Sequence, residues 1–126
     1  MKGLVLDAGA LIAVDRDDRG MLALIQRARG NGQAVKTNPM ALAQAWRDGR
    51  RQATLAKSLH DIDVWPITEE DGRRAGELLG ATETSDPIDA SIALLAKRDD
   101  RIYTSDPGDL KKLCAAAGVK AVVISC

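Results

Sequence analysis

Asp7 closes the short apolar run Leu4-Val5-Leu6 and is followed at once by Ala8-Gly9-Ala10-Leu11-Ile12, small residues with apolar positions at helical spacing. This pattern predicts a buried strand, a carboxylate at its carboxyl end and a helix starting beside it. Ligands of open α/β sheets bind outside the carboxyl ends of the strands, so Asp7 is placed for chemistry. An aspartate here serves equally well as the N-cap of the helix that follows, so Asp7 alone does not decide between the two roles.

Further acids come from a local repeat, Ser85-Asp86-Pro87-Ile88-Asp89 and Ser105-Asp106-Pro107-Gly108-Asp109. Asp as N-cap, Pro in the first turn and an acid shortly after are what a stable helix start needs, and taken singly Asp86 and Asp109 are best read that way. Position changes the reading for the other two. Asp106 directly follows the β-leaning Ile102-Tyr103-Thr104, so like Asp7 it sits at a strand's carboxyl end. Asp89 opens the alanine-rich stretch Asp89-Ala90-Ser91-Ile92-Ala93, whose small side chains let a helix pack closely on a sheet. Carboxylates gathered at one edge repel one another unless a cation joins them, and hard divalent ions such as Mg²⁺ or Mn²⁺ are the natural partners of oxygen ligands. A site built from few carboxylates keeps open positions for water and phosphate oxygens, the arrangement for metal-assisted phosphodiester hydrolysis.

The elements that must position these acids alternate along the chain. After the first strand and short helix come a helix over 21–29, a short β-leaning Ala34 to Thr37, and a helix from Pro39 to Asp48 entered through Asn38-Pro39. A helix over Arg50 to Leu59, a strand over Asp63 to Ile67 placed at an edge by Pro66, and a helix started by Thr68-Glu69-Glu70-Asp71 and ending near Gly80 follow. A helix over Pro87 to Arg98, a strand over Arg101 to Thr104, a helix over Pro107 to Ala117 and a strand over Val119 to Ser125 complete the series. Such alternation predicts a three-layer α/β/α sandwich with a central, mostly parallel sheet.

The 126 residues suit a single domain spanning 1–126. Eighteen basic and 18 acidic residues cancel, which excludes binding of nucleic acid by bulk charge, so an anionic partner must meet a local patch. The chain has no Phe, and Trp46, Trp65 and Tyr103 are its only aromatics, which leaves no stacking platform for single-stranded nucleic acid. The first residues lack the pattern of a signal peptide and no apolar run is long enough to span a bilayer, so the expectation is a cytoplasmic protein without a membrane partner. Cys114 and Cys126 have neither metal-type nor disulfide-framework spacing.

Val5-Leu6-Asp7 followed by Ala10-Leu11-Ile12-Ala13, then Asp89-Ala90-Ser91-Ile92-Ala93, then Tyr103-Thr104-Ser105-Asp106-Pro107 resembles the PIN-domain ribonucleases, and the compact length resembles their VapC-type toxin branch. The resemblance covers nearly the whole chain. It implies an RNA-cleaving toxin of a toxin–antitoxin pair, dependent on Mg²⁺ or Mn²⁺, dimeric and restrained by a small antitoxin protein. It also implies that Asp7, Asp89 and Asp106 are the metal-binding acids, with Thr104 and Ser105 as hydroxyl-bearing neighbours of the last one.

The family has a further acid in the helix after the second strand, and the matching position here is Gln44. Gln offers a carbonyl oxygen but neither charge nor a base. Gln44 is therefore expected as a weak or indirect ligand, with Asp86 as a compensating acid. The basic stretch Arg47, Arg50, Arg51 and Lys57 is expected to face RNA or the antitoxin, or else to be a solvated helix face. The only histidine, His60, is expected on a surface helix, away from the chemistry. Two rivals remain: a PIN-like module that binds RNA or protein without cutting, and another acid-edged α/β protein. An aspartyl-nucleophile phosphatase of the haloacid-dehalogenase type needs a second acid two residues after Asp7, where this chain has Gly9. A receiver-like domain needs a phosphoacceptor near Trp65 to Thr68, which is lacking.

Overall fold

The computed structural model describes residues 2–126. Its five strands are β1 (Leu4–Leu6), β2 (Val35–Thr37), β3 (Asp63–Val64), β4 (Arg101–Thr104) and β5 (Val122–Ser125). Seven α-helices connect them: α1 (Ala8–Asp15), α2 (Arg19–Gly30), α3 (Pro39–Ala45), α4 (Ala53–Ser58), α5 (Glu69–Thr82), α6 (Pro87–Leu95) and α7 (Pro107–Ala117). Every strand pair is parallel, in the order β3-β2-β1-β4-β5. This is the three-layer α/β/α architecture that the alternation predicts.

The strand order carries the functional consequence. The chain winds outward from β1 through β2 to β3, then crosses back to β4 and winds outward the other way to β5. Because parallel crossovers are right-handed, the reversal sends the later helices to the opposite face. Accordingly α1 packs with α2, α3 and α4, while α5, α6 and α7 pack with one another. The switch point lies between β1 and β4, the neighbouring strands whose carboxyl ends carry Asp7 and Asp106. Helices diverge to opposite faces there, opening a crevice above the sheet edge.

Burial explains why the central strands read as continuous apolar runs. Leu4, Val5, Leu6, Val35 and Ile102 are covered from both sides, by Leu11 and Val14 among others of one layer and Ile92, Leu110 and Leu113 of the other. The edge strands β3 and β5 are more exposed, and Pro66 follows β3 at the edge as its chemistry requires.

Several boundaries differ from the expectation. The helix expected over Pro39 to Asp48 ends at Ala45, and the one expected over Arg50 to Leu59 shortens to α4 with a 3₁₀ turn, Leu59–Asp61. The cause is Gln52, which is buried. Its Oε1 accepts from the Arg47 and Asp48 amides at 2.6 and 3.0 Å and its Nε2 donates to the Ala45 carbonyl at 2.8 Å. One side chain thus takes over hydrogen bonds that a longer helix would make. β3 is only two residues long, α5 runs past Gly80 to a left-handed Glu83, α6 stops at Leu95, and β5 begins at Val122.

Candidate metal centre

Asp7 is 4% exposed and uses both carboxylate oxygens. Oδ1 accepts from the Ala8 amide and Oδ2 from the Thr104 hydroxyl, each at 2.8 Å. It therefore caps α1, one of the two roles weighed for it, and at the same time ties β1 to β4. Thr104, fully buried, also accepts from the Asp106 amide at 3.0 Å. One hydroxyl thus orders the stations of two acids. Ser105 is exposed and lies against α1, where a Cβ on Gly9 would come within 2.8 Å of its Oγ and 2.9 Å of its backbone nitrogen. Gly9 is what lets the β4–α7 turn approach Asp7 this closely.

Asp86 is the N-cap of α6, its Oδ1 accepting from the Ile88 and Asp89 amides at 2.8 and 3.3 Å. Asp89, three residues on, is 5% exposed, and its Oδ2 is fully buried without a hydrogen-bond partner. Burial, reinforced by the charges of Asp7, Asp86 and Asp106, pushes the Asp89 carboxyl up to about 8. The fold has thus brought Asp7, Asp86, Asp89 and Asp106 into one electrostatic neighbourhood. Asp106 occupies the N-cap position of α7 but makes no capping bond with its side chain.

Carboxylate oxygens of Asp89, Asp106 and Asp109 lie within 4.8 Å of one another. Asp109 is the acid that sequence reasoning left in a capping role. The signal that points to it is the repeat itself: Asp89 and Asp109 hold the same place in their motifs, and α6 and α7, which the motifs start, pack side by side.

Gln44 lies exposed near the end of α3 and takes part in none of the hydrogen bonds that order these acids among the described residues. The arginines, too, bond only to local groups among the described residues. Arg47 donates to the Ala43 and Trp46 carbonyls, and Arg50 and Arg51 pair with Asp48 at 3.5 and 4.0 Å. The loop carrying them leads into α4, where Thr54 bonds Asp17 just past the end of α1 opposite Asp7. Lys57 and His60 are exposed.

Hard oxygen donors, a buried oxygen with no protein partner, and an acid whose ionised form is disfavoured by burial and by its acidic neighbours form a donor set that fits a divalent cation with open positions. No known family model matches this chain, and neither does any curated protein. No helix among the described residues is long and apolar enough to cross a membrane.

Proposed function

We propose that this protein is a divalent-metal-dependent ribonuclease of the PIN-domain kind, acting as the toxin of a toxin–antitoxin pair in the cytoplasm. The observation that carries the reading is the Asp89 carboxylate, buried with an unpartnered oxygen among Asp7, Asp86 and Asp106 at the switch point of a parallel sheet. A structural acid in that position would have a hydrogen-bond donor, as Asp86 and Asp100 do.

Asp7, Asp89 and Asp106 would hold Mg²⁺ or Mn²⁺, which when bound supplies an activated water and neutralises charge developing on a phosphodiester. Thr104 keeps the Asp7 carboxylate aimed by donating to Oδ2, and fixes the Asp106 backbone by accepting from its amide. Asp86 spends its Oδ1 on the α6 cap, so its contribution is the orientation of Asp89 and negative potential at the site. Arg47, Arg50 and Arg51, exposed and held only by local partners, would face RNA or the antitoxin. Homodimer formation is supported by an apolar groove between α3, α5 and α6, lined by Met40, Ile67, Ala75, Leu79 and Ile88, with Met40 and Ile67 exposed.

Gln44 favours a second reading, a PIN-like module that binds RNA or protein without cutting, because it supplies no charge where the family has an acid. Incubating the purified protein with structured RNAs in Mg²⁺, Mn²⁺ or EDTA decides between them. Metal-dependent cutting that disappears in Asp7→Asn supports the nuclease. Cutting undiminished by EDTA overturns it, and RNA binding without turnover supports the module.

A further inference from the structure

We infer that Asp109 is the acid that completes the cation site, joining Asp89 and Asp106 on the ion beside Asp7, while Gln44 takes no part. The inference rests on the reading that the cluster takes a divalent cation. Three observations carry it. Carboxylate oxygens from these three residues already lie within 4.8 Å of one another. Oxygens sharing a Mg²⁺ at about 2.0–2.1 Å stand roughly 3–4 Å apart, so small side-chain rotations close the set.

Second, the oxygens are free. Asp89 Oδ2 is buried without a partner, and Asp106 makes no side-chain bond to its own helix although it occupies the N-cap position. Asp86, at the same place in the matching motif, spends its Oδ1 on two amides. The two Ser-Asp-Pro-x-Asp starts have diverged in use: the first aspartate of one caps, that of the other is left for a ligand, and both third-position acids belong to the cluster.

Third, Asp7 is held by Ala8 and Thr104, one bond per oxygen, which fixes its aim and leaves each oxygen a further lone pair for the ion. Gln44 is exposed near the end of α3, a helix that packs chiefly on α1, and makes no hydrogen bond to these acids among the described residues.

The test is Mn²⁺ binding, followed by calorimetry and by the electron paramagnetic resonance signal of the free ion. It compares the full chain with Asp109→Asn, Asp109→Glu, Asp106→Asn and Gln44→Ala. Asp109→Asn should weaken Mn²⁺ about tenfold or more, since losing even an outer-shell partner weakens a metal site about 10–100-fold. Asp109→Glu should recover part of that loss, and Gln44→Ala should bind as the native chain does. Circular dichroism and a urea midpoint confirm that each variant is folded. Native affinity in Asp109→Asn, with binding lost in Asp106→Asn, overturns the role of Asp109 while leaving a metal-dependent nuclease standing. Loss of affinity in Gln44→Ala overturns the exclusion of that residue. If the native chain shows no saturable Mn²⁺ binding, the cation reading itself fails, and this inference with it.

Discussion

The Thr104 hydroxyl donates to Asp7 Oδ2 at 2.8 Å, joining the carboxyl ends of β4 and β1 across the point where the sheet reverses its winding. The same oxygen accepts from the Asp106 amide, so one buried group connects two acids that are 99 positions apart in sequence. Replacing Thr104 by Val keeps the shape and removes both bonds. Hydrogen bonds to charged groups are worth about 1.5–3 kcal/mol, and that loss should appear in the urea midpoint of Thr104→Val. Thr104→Ser, which keeps the hydroxyl, should retain most of it. A native midpoint in Thr104→Val would show that this bond contributes nothing.

Gly9 sets how closely the second acid-bearing turn approaches the first. A Cβ there would come within 2.9 Å of the Ser105 backbone nitrogen, an atom that no rotamer change can move aside. Gly9→Ala should therefore destabilise by about 1–3 kcal/mol, the usual range for an overpacked contact. It should weaken Mn²⁺ binding as well, because the turn it displaces carries Asp106. Calorimetry and urea unfolding on the same sample measure the two effects. A Gly9→Ala protein that loses stability but binds the ion normally would uncouple this contact from the site.

Asp89 makes stability and metal binding depend on pH in opposite senses. Its folded carboxyl titrates near 8, against 3.8 for the ordinary group, chiefly because it is buried and then because Asp7, Asp86 and Asp106 repel its charge. Between about 4 and 8 the folded chain holds a proton that the unfolded chain has released, so the stability of the metal-free protein should fall as pH rises through that window and level off above it. A cation needs the ionised form, so Mn²⁺ affinity should rise over the same window with proton uptake by the buffer. Urea midpoints at several pH values, and calorimetry in buffers of different ionisation heat, check both trends. Asp89→Asn should flatten the first trend.

What was legible in the sequence is what neighbours along the chain decide. Leu4-Val5-Leu6 before Asp7, Ile102-Tyr103-Thr104 before Asp106, and Thr68 with Asp71 as a reciprocal cap all rest on local periodicity or capping chemistry, and each forms as expected. Gln52 and Asp100 were not legible, because their importance lies in partners that only the folded chain brings near: Ala45 and Arg47 around the one, Gly3 and Lys36 around the other. Asp109 is an intermediate case. A first-turn acid satisfies a helix dipole and a metal site with the same residue type, so its role turns on where the neighbouring helix starts.

Asp100 holds a buried ion pair at the opposite end of β4 from the acids. Lys36 Nζ lies 3.2 Å from its Oδ2, with side-chain exposures of 6% and 4%. Burial on its own would raise this carboxyl, but the Lys97 and Gly3 amides and the Lys36 ammonium outweigh burial and hold it below the usual carboxylate range. Removing one partner of such a pair typically costs about 3–5 kcal/mol, and Asp100→Ala should fall in that range because it also orphans the two amides. Lys36→Met should cost less, since those amides still serve the carboxylate. For a depressed carboxyl the stabilisation is present above the unfolded value and is lost as pH falls through the folded one. The gap in urea midpoint between native and Asp100→Ala proteins should therefore be wide at neutral pH and narrow in strong acid.

Helix α5 separates a helix-propensity effect from an interface effect. Gly72, Gly76 and Gly80 recur at four-residue spacing on it, and a Cβ added at any of them meets nothing within 4 Å. Glycine inside a helix costs roughly 0.5–1 kcal/mol relative to alanine, so Gly80→Ala should stabilise the chain by about that amount. Gly76, like Gly72 and unlike Gly80, lines the apolar groove with Met40, Ile67 and Ile88. In the dimer proposed above, that groove receives a second copy, and a methyl group at Gly76 fills the space a partner needs. Gly76→Ala should then raise the urea midpoint as Gly80→Ala does, yet sediment as monomer at concentrations where Gly80→Ala is still dimeric. Identical sedimentation of the two variants would remove the groove from the interface and leave α5 with glycines that only weaken it.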